Sequence, residues 1–313
     1  MNTSTQPIIC CGFTPCVQRI LEFGLIKKGA VNRAKSVTLA IGGKGANTAR
    51  MVHQLGQEVL LLGFSGGPNG ALLEKMLGDE GVTFRHVQTQ GETRICQTLV
   101  EDGHSETTEL VEEMPPLHAD EWLRMVELLE ELDLTNSIVT VSGKLPAGAP
   151  IDAYAQIAQR VTKAGGKLIL DAPGEPMLAA LKYNPFLLKI NDVELQQALG
   201  GEDLIDGCRT LIERGAQSVL ITRGSRSALY MDTEQTLELI PPKIQAVNAV
   251  GSGDAVTAGI AVALAQRHSL HEMLIQGIAC GAANALNLVS GTLLMEDVAL
   301  LRRKVQISKF SGA

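Results

Sequence analysis

A chain of 313 residues with 45% apolar residues and only 3% aromatics can build a sizeable core, but from Leu, Ile, Val, Ala and Met rather than from rings. This excludes a disordered chain, and the net charge of -7 argues against a nucleic-acid partner while leaving room for a small anion at a local cluster of cations and backbone N–H groups. No apolar run reaches the roughly 18 to 20 residues that span a bilayer, and Met1–Pro7 lacks a basic leader pattern, so a cytoplasmic setting without membrane contact is expected.

Taken in chain order, short apolar runs alternate with helical patterns. Ile8–Gly12 reads as a buried strand, with Cys10 and Cys11 on opposite faces. Cys16–Leu39 then shows polar residues at every second position and no helix. A turn, Gly42-Gly-Lys-Gly-Ala-Asn-Thr-Ala49, leads into a helix over Ala46–Leu55, followed by a strand at Val59–Phe64 and a helix at Ala71–Glu80. A second alternating segment covers Thr93–Val111. Helices over Ala119–Leu132, Ile151–Ala164, Val193–Leu199 and Leu204–Arg214 interleave with strands at Ile138–Ser142, Leu168–Asp171, Leu187–Ile190 and Val219–Thr222. After residue 250 the chain reads as helix, from Asp254 to His268 and from Leu270 to Leu288. This alternation predicts a parallel sheet covered by helices on both faces. The two alternating segments, near 13–40 and 93–112, leave that core and return to it, which predicts a small second sheet inserted as a lid into a single domain spanning 1–313.

The acidic runs Glu109–Glu113 and Glu127–Asp133 read as solvated faces. The six cysteines form no C-x-x-C pair, and neither they nor His104, His118, His268 and His271 make a metal-ligand pattern, so small core residues in a reducing compartment are expected.

Four segments carry candidate chemistry. In Asn248-Ala-Val-Gly-Ser-Gly-Asp254, Gly251 and Gly253 allow successive N–H groups to converge in front of a long helix, whose positive end faces the same point. Asp254 puts a carboxylate there. A site built only to bind phosphate would not place one beside the anion, whereas phosphoryl transfer needs a base for the attacking hydroxyl. The competing explanation is a helix N-cap. The Gly42-Gly-Lys-Gly turn is not a Walker A loop, because Lys44 is followed by Gly45; its glycines suit close approach to a sugar, with Asn47 for hydroxyls and Lys44 for an anion, or simply a tight turn. In Lys189-Ile-Asn-Asp-Val-Glu194, Asn191 and Glu194 stand at the crevice end of a strand, placed either to hold Mg²⁺ through water or to form a capping box. Thr222-Arg-Gly-Ser225 ends a further strand, as a phosphate-lining loop or an ordinary turn.

Together these segments resemble the ribokinase and phosphofructokinase B family of sugar kinases. The order Gly-Gly-Lys-Gly, Thr-Arg, Ser-Gly-x-Leu-Pro, Lys-x-Asn-x-x-Glu, Thr-x-Gly-Ser and Gly-x-Gly-Asp matches from about residue 8 to residue 300. The branch most similar is that of 1-phosphofructokinase and tagatose-6-phosphate kinase. The resemblance implies a three-layer α/β/α, mostly parallel sheet with a β lid, ATP and Mg²⁺ as cofactors, and a homodimer formed through the lid. It implies Asp254 as base, with Gly251, Ser252 and Gly253 as the anion hole. Lys189, Asn191, Thr222, Gly224, Ser225, Asn248 and Asn284 would lie at the nucleotide, Asn191 and Glu194 at the metal. Gly42, Gly43 and Asn47 would contact the sugar, and Lys44 and Arg94 its existing phosphate.

The departures gather at the acceptor end. Where the branch has Asn-Pro-Ala-Leu-Asp, this chain has Thr14-Pro-Cys-Val-Gln18, exchanging a carboxylate for an amide. Thr-Arg-Ile-Asn becomes Thr93-Arg-Ile-Cys96, and Ser-Gly-Ser-Leu-Pro becomes Ser142-Gly-Lys-Leu-Pro146, which adds Lys144. These changes favour an anionic acceptor. The expectation is a sugar-phosphate kinase, fructose 1-phosphate being the first choice of acceptor. Tagatose 6-phosphate, fructose 6-phosphate, or an unphosphorylated sugar or nucleoside are the alternatives. A non-catalytic binding or regulatory protein is the alternative of another class, against which stand the intact Gly-x-Gly-Asp and Asn-x-x-Glu segments.

Overall fold

The computed structural model describes residues 7–102, 107–201 and 203–310; the N-terminal stretch before Pro7, His104 and part of the second lid segment lie outside them. Numbered along the chain, ten strands make the main sheet. From one edge they are β14 (Gln306–Lys309), β13 (Thr236–Ile240), β12 (Ala228–Asp232), β11 (Ser218–Thr222), β10 (Leu187–Asn191), β9 (Lys167–Asp171), β8 (Ile138–Ser142), β1 (Ile8–Cys11), β4 (Val59–Ser65) and β5 (Thr83–Gln88). Every pairing between β5 and β11 is parallel. The β11–β12, β12–β13 and β13–β14 pairings are antiparallel, so the sheet is mostly rather than wholly parallel. Between β12 and β13 the reason is local: Asp232 Oδ1 accepts from the N–H groups of Glu234 and Gln235, closing a tight hairpin that needs no crossover helix.

Side chains alternate between two cores. Ile8 and Cys10 enter one, Ile9 and Cys11 the other, as the strand pattern predicts. The first core is covered by α1 (Lys44–Gln54), α2 (Gly67–Asp79), α8 (Ser252–Ala265), α9 (Leu270–Asn284) and α10 (Met295–Arg302). The second is covered by α3 (Ala119–Glu130), α4 (Ala153–Lys163), α5 (Gly174–Ala180), α6 (Asp192–Leu199) and α7 (Leu204–Glu213). The result is the expected α/β/α layering. The second core contains a cluster of rings in a chain otherwise poor in them: the centroid of Phe13 lies 5.5 Å from that of Trp122 and 5.8 Å from that of Phe64, and its ring stacks on Tyr154.

The two alternating segments form a separate four-stranded sheet in the order β3 (Ser36–Gly42), β2 (Cys16–Phe23), β6 (Ile95–Glu101), β7 (Thr107–Val111). Gln18 pairs with Ala40 on one side and Cys96 on the other, and all three are buried. The other face of this sheet leaves Val37, Leu39 and Leu110 exposed. Burial pushes the thiols of Cys10, Cys208 and Cys280 up to about 12, which suits inert core residues. Among the described residues no helix is long and apolar enough to cross a membrane.

Candidate active site

Strands β8, β9, β10 and β11 all deliver a polar residue at their C-terminal ends: Ser142, Asp171, Asn191 and Thr222. In an open parallel sheet this edge is where ligands bind. Opposite it, α8 begins at Ser252, with Gly251 as its N-cap at φ 81°, a left-handed conformation that glycine adopts without strain. Asn284 and Asn248 hold this loop. Asn284 Nδ2 donates to the Val250 carbonyl at 2.8 Å, and its Oδ1 accepts from Gly291 N at 2.9 Å. Asn248 donates to the Leu288 carbonyl and accepts from Val250 N. Both carboxamides, assigned to the nucleotide on resemblance, have bonds that fix the glycine loop.

Asp254 lies in the first turn of α8 and is 4% exposed. Its Oδ2 accepts a 2.9 Å hydrogen bond from Asn47 Nδ2, so the Gly42-Gly-Lys-Gly and Gly251-Ser-Gly-Asp segments meet although they are far apart in sequence. Burial, followed by the negative charge of Asp171, raises the Asp254 pKa to about 7, against the opposing effects of Lys44, Asn47 and Lys189. Asn47 arrives from α1, which follows the left-handed Gly43 at φ 97°. Its Oδ1 is buried without a partner.

Asp171, expected from sequence only as the end of a strand, is the centre of the site's charge network. It is wholly buried and accepts from Lys189 Nζ at 3.0 Å and from Thr257 Oγ1, one turn beyond Asp254, also at 3.0 Å. Lys44 Nζ approaches its other oxygen at 3.4 Å. Burial pushes the Asp171 carboxyl up, but Lys189, Lys44 and the hydrogen bonds from Lys189 and Thr257 outweigh it, and the net shift is downward. A charged last residue on an apolar strand, at the ligand edge, is the signal that could have flagged it. Lys189 is 3% exposed on its side chain, and a Cβ placed on Gly253 would lie 2.6 Å from its Nζ. Its ammonium is thus packed directly against the glycine loop.

The Asn191–Glu194 pair forms the capping box that its spacing allows. Asn191 Oδ1 accepts from Glu194 N at 2.8 Å, and Glu194 Oε2 accepts from Asn191 N at 3.1 Å. Asn191 therefore positions Glu194, whose Oε1 faces Lys44 Nζ at 3.0 Å. Among the described residues there is no group of three or more His, Cys, Asp or Glu that would hold a metal alone. Glu194 with Asp171 behind it fits a Mg²⁺ whose remaining ligands are water and nucleotide phosphate oxygens. Thr222 ends β11 beside Asn191, and the turn after it exposes Gly224 and Ser225. Arg223 closes this turn through Ser227.

The remaining candidates sit at the lid. Gln18 is buried, with Nε2 donating to Thr98 Oγ1 at 2.6 Å and Oε1 near the Cys16 thiol at 3.7 Å. Its amide is thereby engaged within the lid. Gly42 packs on it, since a Cβ there would come within 2.7 Å of Gln18 Oε1. Arg94 donates to the carbonyls of Thr14 and Glu112, at 2.7 and 3.0 Å, while its Nε is buried without a partner. Lys144 does not join this group. Its side chain is 67% exposed and pairs with Glu113 at 2.9 Å.

Comparison with solved structures places this arrangement. The chain superposes on phosphofructokinase-2 from Escherichia coli, in complex with potassium, with a TM-score of 0.89 over 95% of this chain and 98% of the other, at 26% identity. A possible 1-phosphofructokinase from Thermotoga maritima matches with a TM-score of 0.86 over 98% of this chain and 100% of its own, at 17% identity, and so shares the fold. A ribokinase from the same organism shares it too, with a TM-score of 0.75 at 19% identity over 95% and 99% of the two chains. A layered, mostly parallel sheet with a small second sheet is the fold that this chain shares with these kinases. The chain belongs to the pfkB family of carbohydrate kinases, whose family model matches residues 13–294.

Proposed function

We propose that the chain transfers the γ-phosphoryl group of ATP to a hydroxyl of a sugar phosphate, with fructose 1-phosphate as the leading acceptor. The observation that carries this reading is the meeting of Asp254 and Asn47 in front of the α8 N-terminus. In this reading Asp254, ionised above about pH 7, takes the proton of the acceptor hydroxyl. Asn47 Oδ1, a buried acceptor lacking a donor, receives a second sugar hydroxyl. The N–H groups of Gly251 and Gly253 and the helix end behind them stabilise negative charge on the transferring group, the Ser252 N–H being engaged with the Ala249 carbonyl at 3.2 Å, and Lys189 reinforces that loop from beneath. Mg²⁺ would be held by Glu194 with Asp171, and when bound it supplies charge neutralisation of the phosphates.

For the acceptor, Arg94 offers an unpaired Nε–H and Lys44 an ammonium, both suited to a phosphate. Fructose 6-phosphate is the second reading, favoured by a phosphofructokinase-2 from Escherichia coli, 26% identical, that has been solved in complex with fructose-6-phosphate. The exposed Val37, Leu39 and Leu110 on one lid face support a homodimer formed through that face.

ADP release should be measured with fructose 1-phosphate, fructose 6-phosphate, tagatose 6-phosphate, fructose and ribose. Sugar phosphates should give the higher kcat/KM, and Arg94→Ala should raise their KM about tenfold while sparing unphosphorylated sugars. Preference for an unphosphorylated sugar, insensitive to Arg94→Ala, would sink the reading.

A further inference from the structure

Lys44 has more negative neighbours than a residue reserved for the acceptor needs. Its Nζ lies 3.0 Å from Glu194 Oε1 and 3.4 Å from Asp171 Oδ1.

The two lysines of the site differ in freedom. Lys189 is pinned on Asp171 Oδ2, enclosed, and packed against Gly253. Lys44 stands at the first residue of α1 with its side chain 34% exposed, so its ammonium can leave without disturbing the core. Glu194 has no such freedom, because the capping box fixes its other oxygen and its own N–H. A fixed carboxylate oxygen facing a movable ammonium is a cation position that already has an occupant.

We propose that Lys44 is an exchangeable counter-ion of Glu194 that couples the two halves of the site. While the nucleotide half is empty, the ammonium neutralises Glu194 and the outer oxygen of Asp171. Once a divalent cation takes Glu194, Lys44 is repelled from it and becomes available to the acceptor's anionic group. One ammonium then serves two anions in turn, and by linkage the binding of metal nucleotide and of acceptor strengthen each other. The inference rests on the kinase reading above.

The test is binding of Mn²⁺·ADP followed by electron paramagnetic resonance, without sugar and without turnover. Wild type is compared with Lys44→Met, Lys44→Arg, Glu194→Gln and the Lys44→Met/Glu194→Gln double variant. Lys44→Met should tighten Mn²⁺·ADP about fivefold or more, because the competitor is gone. Lys44→Arg should stay near wild type, and in the Glu194→Gln background Lys44→Met should gain nothing. Unchanged or weaker binding in Lys44→Met, or an equal gain with Glu194 removed, overturns the proposal. Failure of the wild type to bind Mn²⁺·ADP at all would overturn the kinase reading with it, whereas a wrong acceptor would touch neither result. If Lys44→Met does not fold, ¹³C-lysine NMR on the wild type replaces it. Mg²⁺·ADP should shift the resonance absent from Lys44→Arg, and a stationary resonance refutes the exchange.

Discussion

The two ends of the site are built differently. At the end that the proposed function assigns to phosphoryl transfer, Asp171, Lys189, Thr257 and Asp254 are all nearly inaccessible and come from strands and a helix of the central layers. Of the residues that resemblance assigns to the acceptor, Gln18 lies in the lid sheet, Arg94 just before β6 and Lys144, outside the site, in the loop after β8, and their partners are backbone carbonyls, another lid residue or an exposed glutamate. Buried charges are costly unless fully paired, so the first region tolerates little change; removing one member of such a buried pair typically costs about 3–5 kcal/mol. The second can vary residue by residue.

That contrast sets an order of expected effects. Asp254→Asn should lower kcat by about a hundredfold or more, measured as ADP release. Wild-type kcat/KM should fall below about pH 7 as Asp254 takes up its proton, and the variant should lose that limb. The same shift bears on stability. A carboxyl whose pKa is raised on folding favours the folded state at low pH, and this contribution is lost as pH rises through about 7. Asp254→Asn should therefore melt above wild type at pH 8, with a smaller difference at pH 5.

Next comes Gly253→Ala, whose methyl would meet Lys189 Nζ at 2.6 Å. Displacing the ammonium and the loop should reduce kcat about tenfold to a hundredfold, with a smaller change in acceptor KM. The smallest effect belongs to Lys144→Ala. Its pair with Glu113 is exposed on both sides, and acceptor KM should change less than about twofold. A large Lys144 effect, or a small Gly253 one, would erase the distinction between the two ends.

Sequence carried the first region better than the second, with one exception. The helix start at Gly251 and the buried strands are local patterns, readable from glycine placement and unbroken apolar runs. Asp171 was missed because its role depends on Lys44 and Thr257, which lie 127 and 86 residues away along the chain. The edge strands β12 and β13 escaped because short turns without a crossover helix join them to β11 and to each other, and β14 because its pairing with β13 spans the three helices α8 to α10. Gln18 was legible as a departure, but not that Thr98 would hold its amide, since this depends on the parallel pairing of β2 with β6.

The ring cluster has a practical use. The chain contains one tryptophan, and Trp122 is buried, with its Nε1 unpartnered and its ring edge-on to Phe13. Phe13 directly precedes Thr14, whose carbonyl anchors the Arg94 guanidinium. In the proposed reading, an acceptor phosphate that draws Arg94 away would release that carbonyl, one residue from the ring packed on the indole. Titration of a sugar phosphate should therefore change the emission of this one indole in the wild type and leave it unchanged in Arg94→Ala.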